Sequence, residues 1–500
     1  MYKPITIQRN NFFGGISDDP RELDPTKFQM SKHFDIFTYP TKLVPYRSLE
    51  ADTNDGSTST GMKQYYVRDY AYATQSSKLY GLGQNGSGKT KIVYKSDATT
   101  GNWTLPSSSE GDGAVLNGCF LEYKDYLWGF QGTNQIWKWG TLSGSPSITN
   151  SASTVASTIT SVANGIIAAD GNAYIAYNNV IVRIAPGGTI TDNAKSVPDT
   201  YKITSLCNYG SYMAIACSPK STYNGQSKVF IWNLSSDLFA ETIDWGEGEL
   251  RVMDNVEGTL IGITDRYLNN SIGAGKGSMV IQGWSGGAPQ VLKEINTLAL
   301  TGKSIPLSKA VKNNRLFWSA KIMTNSAGTT YNEGVWSFGR KKTGYQFATS
   351  LDIVCESANT SGIEAFGVAG NYFFVTHSAD GSISKTDDTS TFSYTSIYES
   401  QIENFGTTEQ KKKWITGKIT CTPLASGASL TLKYKKDEDT SFTTIGSYST
   451  LNGISRAFIN IESSGNEIPT FKEIVIRIES TGGAEVTSYQ ITAQPLEGNV

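Results

Sequence analysis

Eight residues, Gly83-Gln84-Asn85-Gly86-Ser87-Gly88-Lys89-Thr90, satisfy the phosphate-binding pattern GxxxxGK[ST] in full. Such a loop works when its amides and a following helix N-terminus surround a phosphate. Here the next residues, Lys91-Ile92-Val93-Tyr94-Lys95, carry adjacent β-branched side chains and read as a strand. Lys78-Leu79-Tyr80-Gly81-Leu82 fits its partner strand, so the stretch reads as a long hairpin loop. No apolar run ending in Asp supplies a magnesium partner, and no βαβ pattern surrounds it.

A second candidate is acidic. Asp244, Glu247 and Glu249 flank Trp245 in the segment TIDWGEGE. Paired carboxylates beside an aromatic suit glycoside hydrolysis, provided a second carboxylate faces the first across a cleft. Sequence spacing does not supply that, so a solvated loop between repeats is the preferred reading. Asp52, Asn54 and Asp55 ahead of Gly56 could touch a cation, but the later bidentate Glu of an EF-hand is missing. Asp97 to Trp103 lacks the spacing of a sialidase Asp-box. Two histidines, His33 and His377, are too few for a His-based metal site or a Ser-His-Asp set. Catalytic residues, cofactor and metal are therefore all expected to be absent.

The elements that would position such groups are strands. The chain has 500 residues with 50 Gly, 26 Tyr, 20 Phe and 10 Trp against only 15 Pro, a composition that favours an all-β fold. Residues 116–140 hold three short aromatic-rich runs separated by Lys124-Asp125 and Gln131-Gly132-Thr133-Asn134, the pattern of an antiparallel meander. The pattern recurs around Asp170-Gly171-Asn172, Asn208-Tyr209-Gly210, Val256-Glu257-Gly258, Asn313-Asn314 and Gly370-Asn371. A spacing of roughly 40 to 55 residues is that of propeller blades. Counting residues 62–96 as a further unit predicts a seven-bladed β-propeller over residues 31–395, with six or eight blades left open. Trp128, Trp137, Trp139, Trp232, Trp284, Trp318 and Trp336 then pack between blades. Alternation in residues 429–434, 471–478 and 486–491 predicts a β-sandwich over residues 396–500.

Net charge is −2, with no basic field for nucleic acid. Cys119, Cys207, Cys217, Cys355 and Cys421 are odd in number, scattered and without CxxC, which suits a reducing compartment. No signal peptide or membrane span is evident, so a soluble protein made in the cytosol is expected. Residues 1–30 read as an extended arm. Its Phe12, Phe13, Gly14, Gly15 and Ile16 suit either packing on the chain's own propeller or docking on a neighbouring subunit.

The opening resembles tail nozzle proteins of tailed bacteriophages, also called tail tubular protein B or stabilisation proteins. Gly14-Gly15-Ile16-Ser17 and Pro20 match their Gly-Gly-Ile-Ser turn. Lys42-Leu43-Val44-Pro45-Tyr46-Arg47-Ser48 matches a later motif in its Leu and Arg, lacking its Gly and final Pro. Asn404-Phe405-Gly406, Lys413-Trp414, Pro423-Leu424 with Gly427, and residues 471–478 are similar to a sandwich found beside propellers in phage structural proteins. The resemblance implies a non-enzymatic virion component, assembled in the host bacterial cytoplasm. It also implies a homo-oligomer, usually a hexameric ring, around the DNA exit channel. Partners would be further copies, other tail, portal or adaptor proteins, and the genomic DNA in passive contact. Phe12, Phe13, Gly14, Gly15, Ile16 and Arg47 are the expected subunit interface, and deleting residues 1–30 is expected to stop assembly while leaving the propeller folded. A carbohydrate-binding adhesin and a propeller glycoside hydrolase are the alternatives.

Overall fold

The computed structural model describes residues 3–17, 19–52, 69–73, 77–84, 90–95, 102–104, 110–111, 120–131, 134–142, 153–220, 225–267, 277–300, 309–320, 323–325, 330–331, 333–342, 344–354, 363–377, 381–386, 392, 394–449, 456–459 and 470–497. Among these every regular element is a β-strand, and no helix is long and apolar enough to cross a membrane. The chain falls into two compact units. One comprises Leu49–Gly334 and Cys355–Thr386, the other Met1–Ser48, Val335–Val354 and Asp387–Val500.

The first unit is a β-propeller. Its sheets are antiparallel meanders taken in chain order. Sheet 1 spans residues 69–111, sheet 2 residues 121–154, sheet 3 residues 162–196, sheet 4 residues 201–247, and sheet 5 begins with Glu249–Val256, Thr259–Tyr267 and Gly277–Trp284. The hairpin Lys309–Lys312 and Arg315–Ala320 follows. The closing sheet joins Ile363–Ala369, Tyr372–His377 and Ile383–Thr386 to Leu49–Ala51, which comes from the other end of the sequence. The first strands pack side by side in succession: Asp69–Ala73, Leu121–Tyr123, Val162–Ile167, Tyr201–Tyr209, Glu249–Val256, Lys309–Lys312 and Ile363–Ala369. The last of these lies against the first, so the ring is closed. At that seam Gly367 comes so close that a Cβ would sit 2.5 Å from Cβ of Tyr70.

The hairpins form where two-residue turns accept left-handed backbone. Lys124 and Asp125 have φ of 51° and 65°, and Asn313 and Asn314 have 51° and 60°. Turns of this hand match the twist of the strands they join. The strands then bury alternate faces between consecutive sheets. Tyr123, Trp128, Phe130 and Ile136 of sheet 2 meet Ile175, Tyr177, Val182 and Ile184 of sheet 3. Tyr174 of sheet 3 meets Trp232 of sheet 4 edge-on at 5.8 Å. Trp245 of sheet 4 packs with Leu250, Met253 and Leu260 of sheet 5. Of the tryptophans expected between blades, Trp128, Trp139 and Trp318 are each at most 2% exposed, whereas Trp336, also buried, belongs to the other unit.

The second unit is a two-sheet sandwich built from both ends of the chain. One sheet runs Ile5–Arg9, Val486–Pro495, Lys412–Cys421, Arg456–Ile459 in space. The other includes Ala348–Val354, Lys27–Lys32, Ser396–Ser400, Ile474–Thr481, Ser429–Lys436 and Thr443–Tyr448, in that order. The inner faces meet where Tyr398 packs on Tyr489 at 5.9 Å and Leu432 reaches Gly417. Boundaries at residues 30 and 395 therefore do not describe the chain. Residues 5–9 and 27–32 are not a free arm, because they pair in register with residues 489–493 and 397–400.

Candidate functional site

The phosphate-loop pattern lies in sheet 1. Gly83 and Gln84 end the strand Lys78–Gln84, Thr90 opens Thr90–Lys95, and Gln84 pairs antiparallel with Thr90. Strand, not helix, follows Thr90, so the amide-rich helix terminus that phosphate binding needs is missing. Asn85 to Lys89 lie outside the described residues.

The acidic trio is not a loop. Asp244 and Glu247 belong to the strand Glu241–Glu247, and Glu249 opens the next sheet. The positive φ of Gly246 and Gly248, 121° and 113°, carries the chain from one sheet to the next. Asp244 is exposed and pairs with Lys228 at 2.5 Å. Glu249 is buried, accepts from Lys202 at 2.6 Å and pairs with Arg251, which lies 3.5 Å from Asp265. Trp245 between them is 1% exposed. The trio thus divides into a surface ion pair and an internal charge network, and its tryptophan offers no platform for a sugar.

Asp52 is no cation ligand either. Its Oδ2 accepts from Lys95 Nζ at 2.7 Å and Trp103 Nε1 at 2.9 Å, and both charged side chains are 0% exposed. This pair fastens the residue after the closing strand to sheet 1. Asn54, Asp55 and residues 96–101 lie outside the described residues. His33 is buried and stacks on Tyr394 at 5.1 Å, and His377 Nε2 lies 2.9 Å from Ser384 Oγ. Among the described residues no cluster of His, Cys, Asp or Glu has metal-binding geometry. Burial pushes the thiols of Cys207 and Cys217 up, out of the reactive range.

The residues expected at a subunit interface are mostly internal. Phe12 is 0% exposed, edge-on to Tyr398 at 5.4 Å, and Ile16 is 2% exposed. Phe13 is half-buried against Tyr345 at 5.3 Å. Gly14 is buried. Gly15 has φ of +79°, and a Cβ added there would lie 2.8 Å from the Thr349 backbone, which explains a glycine at this position. Arg47 alone of the six is exposed. Neighbouring Leu43 is buried and pairs with Val486, and the Tyr46 hydroxyl donates to Asp352 at 3.0 Å. These segments pack within the sandwich unit to which they belong.

Two arrangements give no sign in the sequence. Lys309 reaches from its own strand across the first strands of sheets 4 and 5, within 2.9 Å of Ser205 Oγ, 3.0 Å of the Leu206 carbonyl, 2.6 Å of the Met253 carbonyl and 3.0 Å of Asp254 Oδ2. One ammonium thereby ties three successive repeats near the ring's centre. In the sandwich unit, Arg9 makes a two-pronged bond to buried Glu403 at 2.9 and 2.7 Å. Beside it opens a groove of about 220 Å³, lined among others by Ile5, Ile7, Arg21, Leu23, Lys27 and Phe405.

Neither a family model nor a curated protein matches the chain. Among solved structures, virginiamycin B lyase from Staphylococcus aureus is similar at 10% identity and a TM-score of 0.40, covering 65% of this chain and 96% of that one. The Pan2 WD40 domain of Neurospora crassa gives 10% and 0.39, covering 69% and 95%. BamB from Moraxella catarrhalis gives 11% and 0.38, covering 77% and 99%. The fold class defined by the strands described above is a β-propeller joined to a β-sandwich, and likenesses this distant add nothing about activity or partners.

Proposed function

We propose that this chain is a non-enzymatic structural protein that assembles with further copies of itself, in a bacteriophage tail and in the manner of the nozzle proteins its opening resembles. The observation that carries this reading is the strand Ile5–Arg9. Among the described residues it pairs on one side only, with Val486–Pro495. Ile5 and Ile7 line the groove, whose rim includes Leu23 at 92% exposure. A sheet edge beside a groove that mixes apolar and charged side chains is a template for a strand from another chain. This moves the expected contact from Phe12–Ile16, which are internal except for half-buried Phe13, to the strand just before them. Of the carboxylates the hydrolase alternative would use, Asp244 and Glu249 are each engaged by a cation of the chain.

Size-exclusion chromatography with light scattering and negative-stain imaging of the purified protein test this. A closed multimer is expected, shifted towards monomer by Leu23→Asp, an exposed position whose change leaves the fold intact. A monomer at every concentration, or a multimer indifferent to Leu23→Asp and to Ile5→Glu, would overturn the proposed contact.

A further inference from the structure

We propose that a cavity at the rim of the propeller, between sheets 2 and 3, binds the carboxylate of an acidic sugar. The cavity, about 110 Å³, is lined by Tyr123, Lys124, Tyr126, Trp128 and Lys138 of sheet 2 and by the turn from Ala185 to Gly188 of sheet 3. Its walls carry two ammonium groups and no carboxylate. Lys138 Nζ stands 3.6 Å from the centre of the Tyr126 ring and 5.5 Å from that of Trp128. Among the described residues it has no oxygen partner.

That sets it apart from five buried or half-buried lysines in the same unit. Lys95 is bonded to Asp52, Lys202 to Glu249, Lys228 to Asp244 and Lys309 to Asp254. Lys195 donates to the carbonyls of Ser236 and Asp237. Ring faces hold an ammonium in place but satisfy none of its N–H donors as an oxygen would. Lys138 is therefore positioned, half-buried and left with donors aimed into a cavity. Trp128 Nε1 is already engaged by the Tyr123 carbonyl at 3.3 Å, and the Tyr123 hydroxyl by the Gly171 carbonyl. The remaining lining donors are thus the two lysines and the Tyr126 hydroxyl.

On the sheet 3 side, Gly188 has φ of +82°, a left-handed conformation that glycine takes without strain, and a Cβ there would only touch Lys138 Nζ, at 3.5 Å. Gly187 faces open space. The missing complement is a single planar anion with an apolar flank. A uronate meets both demands: its carboxylate takes the ammonium donors, and its C–H edge lies against Pro186. This inference stands apart from the assembly reading and survives its failure.

Isothermal titration calorimetry with glucuronate and a galacturonate oligomer tests it, with glucose, acetate and inorganic phosphate as comparisons. Binding is expected for the uronates and not for glucose. Lys138→Met should weaken it at least about tenfold, the usual loss for a charged hydrogen bond, while Lys138→Arg retains it. Lys124→Ala, at an exposed turn, should weaken it less and serves should Lys138→Met misfold. No binding at millimolar uronate, acetate or phosphate bound as tightly as uronate, or affinity unchanged by both substitutions, would each overturn the proposal.

Discussion

Asp69 shows at the scale of one side chain how the ring converts burial into chemistry. It opens the first strand of sheet 1, and its carboxyl accepts the N–H of Tyr70 at 2.9 Å and of Phe120, just ahead of sheet 2, at 3.1 Å. Burial outweighs those two bonds and pushes its pKa up to about 7. The folded state thus keeps a proton that the unfolded chain releases near pH 4. Stability from this group is present in full at lower pH, falls as pH rises from about 4 to about 7, and is flat above. The effect is at most about 4 kcal/mol, and less because the residue keeps partial solvent access. Asp69→Asn should remove that slope: in urea titrations of variant and parent, the stability difference should change across pH 4 to 7 and stay constant beyond. A difference independent of pH would show that Asp69 ionises normally. Nothing in the motif-poor segment around Asp69 marks this in the sequence, because the cause is burial, which depends on what the rest of the chain packs around it.

The elements are more legible than the residues. Meander runs and their turns show in the sequence because both signals are local: Lys124-Asp125 and Asn313-Asn314 fall where the backbone turns left-handed. Elsewhere the pattern slips slightly, as at Asn208-Tyr209-Gly210, where Tyr209 still pairs with Tyr212 and the turn is Gly210-Ser211. What the sequence hides is pairing across long separations. Leu49–Ala51 closes a sheet whose other strands lie more than 300 residues later. In that sheet Ile383–Thr386 is interior, with Lys385 pairing Phe374 on one side and Glu50 on the other. Proline at Lys385 therefore removes a ladder bond whichever side its N–H faces, at a cost of about 3 kcal/mol or more. Lys385→Thr, which suits a strand but gives up the ammonium over the Tyr372 ring, should cost about 1 kcal/mol. Thermal and urea unfolding of the two variants should separate them by that margin, and equal midpoints would mean that the closing strand adds little to the ring.

At the scale of the whole molecule, the same blindness to long-range pairing misplaces the domain boundaries. Alternation in residues 429–434 and 486–491 announces a sandwich, but nothing in residues 1–32 says which edge they will join. The structure gives Ile5–Arg9 to Val486–Pro495, and Lys27–Lys32 to Ser396–Ser400. It also ties Arg9 to Glu403, whose burial pushes its pKa up despite that partner. A fragment of residues 396–500 alone would then lack Ile5–Arg9, Lys27–Lys32 and Ala348–Val354 from its sheets and leave Glu403 without its cation. Losing one partner of a buried pair costs about 3–5 kcal/mol by itself, a large part of the stability of a domain this size. The isolated fragment should give broad, poorly dispersed amide resonances. Adding a peptide of residues 3–32 should restore dispersion, with Arg9→Ala in the peptide weakening the rescue. For the same reason, deleting residues 1–30 from the full chain should unfold the sandwich unit, so that lost assembly in that deletion reports on folding and not on a docking arm. A fragment of residues 396–500 that folds unaided would restore the boundary that alternation alone suggests and return residues 1–30 to the role of a separable arm.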